Sequence, residues 1–164
     1  RRRSFVIPRV VYVDSDSRAK KFFRDPALLE LVYRHPEYEQ RPVVRFRRAD
    51  YSEAIDEATN SFDLLISQYA GLVSRDCKRY LKVGGYLLAN NSHGDASMAR
   101  LDPAYKLVAV YRRRGERFTF SFDDLETYMI TKSGKEPTVA SLEERMRGPA
   151  FTRQAAGYVF SRTM

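Results

Sequence analysis

A chain of 164 residues and 19.1 kDa is long enough to bury one continuous core, and its 43% hydrophobic content with 11 tyrosines and 10 phenylalanines excludes a disordered polymer. No apolar run approaches the roughly 20 residues that span a bilayer, no signal peptide is visible, and a single cysteine, Cys77, excludes a disulfide framework or a metal-ligand spacing, all of which point to a reducing, cytoplasmic setting without a membrane. The net charge of +8 suits a nucleic-acid partner, but the basic residues are scattered, with concentrations at Arg1 to Arg3, Arg45 to Arg48 and Arg112 to Arg114, and a solvated arginine-rich surface explains them equally well.

In chain order, Val10 to Val13 is a β-branched run ending at Asp14 and predicts a fully buried strand. Ser15 or Ser17 is placed to cap a short helix carrying Phe22 and Phe23, and Asp25-Pro26 opens a second helix through Tyr33 that stops before Pro36. His35 reads as a surface residue. Pro42 introduces a strand at 43 to 46, and the Asp50/Glu53 spacing predicts a helix whose inner face is Ala54, Ile55 and Ala58. Leu64 to Ser67 is a third strand, closed by Gln68-Tyr69-Ala70-Gly71, and Val73, Cys77, Tyr80 and Leu81 form a helical stripe. A Gly84-Gly85 turn leads to a fourth strand, Tyr86 to Ala89, read as buried on both faces, which empties into Asn90, Asn91, Ser92, His93 and Asp95. Alternating strands and helices with short connections predict a parallel sheet to this point.

Beyond residue 104 the rhythm changes. Residues 105 to 111 and 117 to 122 flank Arg114-Gly115-Glu116, and Phe118, Phe120 and Phe122 alternate, which predicts a hairpin. A strand at Thr127 to Ile130, a helix opened by the Ser141/Glu144 spacing and a last strand at Tyr158 to Phe160 complete the reading, with no repeat and no linker.

Ligands of open parallel sheets bind outside the carboxyl ends of the strands. Here those ends carry Asp14, Asp50, Ser67-Gln68-Tyr69 and Asn90 to His93. A carboxylate after a strand can accept hydrogen bonds from both hydroxyls of a ribose, and Asp50 followed by Tyr51 can bind an exocyclic amine and cover an adenine. The plainer role for each acid is a helix cap. His93, two residues from Asp95, is placed to serve as a general base oriented by that carboxylate; the alternative is a loop histidine beside a helix-capping aspartate. Cys77, on the inner stripe, reads as core.

The order VVYVDSD, VRFRRADYSEAI, FDLLISQYAG, YLKVGGYLLANN resembles the class I S-adenosylmethionine-dependent methyltransferases over roughly residues 8 to 95, most specifically in LKVGGYLL after FDLLIS. The resemblance implies an α/β fold: a Rossmann-like, mostly parallel sheet flanked by helices, with an antiparallel hairpin in the C-terminal part, forming one methyltransferase-like domain over residues 1–164. It also implies S-adenosylmethionine as cofactor, with Asp14 on the ribose, Asp50 and Tyr51 on the adenine and Ser67 bordering the cofactor. Gln68, Tyr69 and His93 would face an unidentified methyl acceptor, Tyr69 and His93 being the catalytic candidates. The family's first strand and its E/DxGxGxG loop have no counterpart here, and Arg1 to Pro8 looks like the end of the first helix and its loop, so the expectation is the later part of a longer chain. A rival reading is a non-catalytic module of the same fold that binds nucleic acid or a protein; a homo-oligomer is compatible with either. A nicotinamide-dependent enzyme ranks third, since it too needs a glycine loop.

Overall fold

The β-branched runs at Val10 and Val43 become strands, and the 29 residues between them allow those strands to run parallel, because a parallel pair needs a long crossover. The computed structural model describes residues 7–34 and 42–164, so the readings of Arg1 to Arg3, the segment through residue 6, His35 and Pro36 lie outside the described residues. The chain divides into two compact units, Arg1–Ile55 and Asp56–Met164.

In the first unit, β1 (Arg9–Val13) pairs in parallel with β2 (Val43–Arg47), setting Tyr12 opposite Phe46. Between them lie α1 (Ser17–Phe23) and α2 (Pro26–Tyr33). The cap of α1 is Asp16, not either flanking serine: its carboxylate accepts the Arg18 N–H at 2.7 Å. Asp25 opens α2 by accepting the Ala27 N–H at 2.9 Å. Phe23 stacks on Phe46 at 4.9 Å and tilts against Tyr12 at 4.5 Å, pinning α1 to the strands. A two-stranded sheet cannot enclose its own faces, so β1 is half-buried where the sequence predicted full burial, and Tyr12 keeps 46% of its surface. No helix follows β2. The Asp50 carboxylate folds back on Ser52, and of the three residues assigned to an inner face only Ile55 is buried.

The second unit holds a five-stranded sheet in the order β3-β4-β7-β5-β6. β3 (Phe62–Ser67) and β4 (Leu81–Ala89) are parallel, whereas β7 (Gly157–Arg162) is antiparallel to both β4 and β5 (Tyr105–Arg114), and β6 (Arg117–Ser121) closes the hairpin with β5. The sheet is therefore mixed, which corrects the mostly parallel expectation. The parallel rhythm ends at β4 because the chain's last strand returns between β4 and β5 in the opposite sense. Leu81, Leu87, Ala89, Val110 and Phe160 are fully buried and form the core with Tyr128 and with Ala96 and Ala99 of α4 (Asp95–Leu101). The other face of the β3–β4 pair is open: Leu64, Ile66 and Tyr86 expose 41%, 52% and 50% of their surfaces. The fourth strand is thus buried on one face, not two.

Arg162 of β7 ties the last strand to the segments entering β3 and β4, donating to Asn60 Oδ1 at 2.8 Å, to the Lys78 carbonyl at 2.9 Å and to the Leu81 carbonyl. The stripe before β4 is a short helix, α3 (Val73–Asp76), and a 3-10 turn at Lys78–Tyr80. Residues Leu125–Met129 are also a 3-10 turn, with Tyr128 and Met129 buried, where a strand was predicted. The last helix, α5 (Val139–Arg145), is opened by a capping box of Thr138 and Ser141, one turn before the Ser141/Glu144 spacing.

Candidate functional site

Val13 and Arg47 are register partners at the end of the parallel pair, so the segments leaving β1 and β2 emerge from the same end of the first unit's sheet. Asp14 follows β1 directly, is exposed, and accepts the Asp16 N–H at 2.8 Å through Oδ1. Asp50 is exposed on the segment after β2 and accepts both the Ser52 N–H (2.9 Å) and its hydroxyl (2.8 Å). Those bonds, the backbone one foremost, hold the Asp50 carboxyl below the usual carboxylate range. The Asp16 carboxyl is likewise lowered by its hydrogen bonds from Arg18. Tyr51, half-buried, follows Asp50. Each of two adjacent strand ends thus presents an exposed carboxylate acceptor, the second with an aromatic beside it.

The ends of β3 and β4, in the second unit, are built differently. Ser67 is 1% exposed with its hydroxyl sealed in the core, while Tyr69, two residues on, exposes 74% of its surface at φ +59°. A tyrosine in the left-handed region costs about 1 kcal/mol or more, so the turn is held by its surroundings. Gln68 supplies one restraint: its amide donates to the Tyr111 hydroxyl at 2.9 Å. Tyr111 in turn lies across Gly157, where any Cβ would collide with its ring. Tyr111 escaped the sequence reading because its partners are Gln68 and Gly157, both distant in the chain.

The polar run after β4 is largely consumed by structure. Asn91 Oδ1 accepts the Ser97 N–H at 3.0 Å and its hydroxyl at 2.9 Å, satisfying the first turn of α4, while its amide donates to the Pro149 carbonyl at 3.1 Å. Asp95 is 2% exposed, and its Oδ1 accepts the Ser74 N–H at 2.9 Å. Burial holds this carboxyl above the usual carboxylate range, and the neighbouring Ser67 and Ser74 groups offset that only in part. Among the described residues, Ser67 Oγ, Asn90 Nδ2 and Asp95 Oδ2 are buried and find no hydrogen-bond partner. Asp95 therefore does not orient His93.

A different pair does. Asn90 Oδ1 accepts the Ser92 N–H at 3.2 Å and the Ser92 hydroxyl at 2.8 Å, and Ser92 Oγ lies 3.0 Å from His93 Nδ1. That contact holds the ring of the half-buried His93 through Nδ1. Cys77 is buried, and desolvation pushes its thiol up to about 11, which keeps it inert at neutral pH.

Asp14, Asp50 and Tyr51 thus belong to the first unit, and Ser67, Gln68, Tyr69 and His93 to the second. Among the described residues no group of three or more His, Cys, Asp or Glu is placed to hold a metal, and no helix is long and apolar enough to cross a membrane.

No protein-family model matches the chain, and no curated protein matches it in sequence. Among solved structures, a SAM-dependent methyltransferase from Methanosarcina mazei is similar at 16% identity and a TM-score of 0.44, covering 95% of this chain and 82% of that one. The 1,6-didemethyltoxoflavin-N1-methyltransferase of Burkholderia thailandensis, with bound 1,6-didemethyltoxoflavin and S-adenosylhomocysteine, is similar at 12% identity and a TM-score of 0.34, covering 94% and 71%. At these scores neither likeness carries weight for the fold or the function of this chain.

Proposed function

We propose that the chain binds the adenosine part of S-adenosylmethionine and takes part in methyl transfer. The observation that supports this most is the pair of exposed, acceptor-rich aspartates leaving the same end of the parallel β1–β2 pair, with Tyr51 beside the second. Asp14 would accept hydrogen bonds from the ribose hydroxyls. Asp50, held ionised by Ser52, would accept from the adenine amine, and Tyr51 would cover the ring. The fit covers the adenosine half: all eight glycines lie at or beyond residue 71, so the first unit offers no glycine loop for the methionine half.

S-adenosylmethionine supplies an electrophilic methyl group on a sulfonium, so the protein's share of such a reaction is mainly orientation. Within the second unit, the Gln68–Tyr111 bond fixes the turn that carries Gln68 and Tyr69. His93, whose ring is held through Nδ1 by Ser92, is the candidate base of the second unit.

Calorimetry with S-adenosylhomocysteine tests this reading. The parent chain should bind, Asp14→Asn should lose roughly tenfold in affinity for one charge-assisted hydrogen-bonding partner, and the melting temperature of that variant should be unchanged. No heat from the parent, or equal affinity in the variant, would sink the proposal.

A further inference from the structure

Three phenylalanines stand on one face of the hairpin. Phe118, Phe120 and Phe122 expose 56%, 52% and 69% of their surfaces, a concentration of bare aromatic area that a soluble surface does not carry without a use. Their spacing follows from the strand: residues two apart on one face stand roughly 6.7 Å from each other. Phe120 and Phe122 are 6.5 Å apart with planes inclined by 20°. Tyr111, the cross-strand partner of Phe120, sits 5.8 Å from both Phe118 and Phe120. Arg113, the partner of Phe118, lies 5.6 Å over that ring. Phe118, Phe120 and Phe122 form a row along the outermost strand of the sheet, and the buried Tyr111 of β5, the tyrosine that holds Gln68, backs it beside Phe118 and Phe120.

The hairpin that carries the row is positive: Arg113 shares the face of the phenylalanines, while Arg112, Arg114 and Arg117 alternate to the other face near the turn. Between Tyr105 and Phe122 there are five cations, Lys106, Arg112, Arg113, Arg114 and Arg117, against one acid, Glu116, a net +4 that is half of the chain's +8. Arg112 to Arg117 are exposed around the turn at Gly115, whose φ of +62° suits glycine. Asp123 and Asp124 follow Phe122 directly and bound the charged region at that end.

We infer that the β5–β6 hairpin is a stacking platform for single-stranded nucleic acid, with bases on Phe118, Phe120 and Phe122 and phosphates on the arginines of the turn. Aromatic rings at strand spacing offer each base a π-face without reading its sequence, and guanidinium groups around them neutralise the backbone. A polyanion complements this charge, whereas a second copy would bring an equal +4 against it. A duplex hides its bases and leaves the rings unused. The inference stands apart from methyl transfer, since it needs no cofactor.

Fluorescence anisotropy with labelled 15-mers of dT and rU, and a duplex control, tests it on the whole chain without S-adenosylmethionine. Both single strands should bind and the duplex at least tenfold more weakly; a preference for dT or rU names DNA or RNA as the source and upholds the proposal. Phe120→Ala and Phe122→Ala should each weaken binding roughly tenfold, and Arg113→Gln should lower the slope of log affinity against log salt by about 1. These side chains are exposed, and unchanged melting curves would show that the variants fold. Absence of single-strand binding, equal binding of the duplex, or phenylalanine variants that bind like the parent would overturn it. So would sedimentation in which the phenylalanine variants dissolve a dimer, or flotation with phosphatidylserine vesicles, if either occurred without oligonucleotide binding.

Discussion

Where β1 and β2 end, Asp14 and Asp50 stand in solvent and accept hydrogen bonds from neighbours two residues away. Where β3 and β4 end, Ser67, Asn90 and Asp95 are sealed, and Asp95 takes its hydrogen bond from Ser74, 21 residues away. The same side chain responds in opposite directions. Local hydrogen bonds lower the Asp50 carboxyl, and desolvation raises the Asp95 carboxyl. A polar strand end is therefore of two kinds: one keeps acceptors available to a ligand, and the other spends them on holding the fold.

That contrast is broken most forcefully at Gly148. A Cβ there would run into the side chain and carbonyl of Asn91, the residue that caps α4. Gly148→Ala should cost about 3 kcal/mol in chemical denaturation, near the upper end for overpacking; a loss below about 0.5 kcal/mol would mean that the β4 end is not sealed.

A gentler probe is Asp95→Asn. Because the folded carboxyl is raised, the ionised group opposes folding above the unfolded value of about 3.9 and ceases to do so as pH falls below it. The asparagine variant keeps an acceptor for Ser74 and carries no charge, so it should melt about 2–4 °C higher than the parent at pH 8, equivalent to roughly 1 kcal/mol, with the difference shrinking toward pH 4. A variant less stable than the parent at pH 8 would show that the carboxylate supports the fold.

The smallest effect is expected at Asp50. Its lowered carboxyl favours the fold above the unfolded pKa, and that contribution is lost as pH falls through the folded value; full solvent exposure keeps it slight. Asp50→Asn should leave the melting curve unchanged between pH 5 and 8 while weakening S-adenosylhomocysteine. A clear destabilisation would move Asp50 into the structural kind of strand end.

These distinctions bear on what could be read from residues alone. The hairpin was legible because Arg114-Gly115-Glu116 and the alternating phenylalanines act over neighbours. The helix expected after Asp50 was not formed: only Ile55 among its inner residues is buried, so no apolar stripe anchors it. Of the candidate residues, the chemical type of Asp14, Asp50, Tyr69 and His93 and their places at strand ends were legible. The orienting partner of His93 was not. A carboxylate two residues away looked better placed than Ser92, and only packing of α4 against Ser74 turns Asp95 inward. Tyr111 was hidden for the same reason, its role depending on residues 43 positions back and on a glycine in the last strand.

The glycine pair, expected as a turn before the fourth strand, lies within β4 and has a further consequence. Between the register pairs Phe62 with Leu81 and Leu64 with Tyr86, Lys82 to Gly85 stand opposite Asp63 alone, and Gly84 adopts φ +82°. From Tyr86 onward the strand is gripped by β3 on one side and β7 on the other. The excursion thus works as an expansion joint. A residue gained or lost within it changes the length of the chain but not the phase of the strand beyond, so Leu87 and Ala89 continue to face the core.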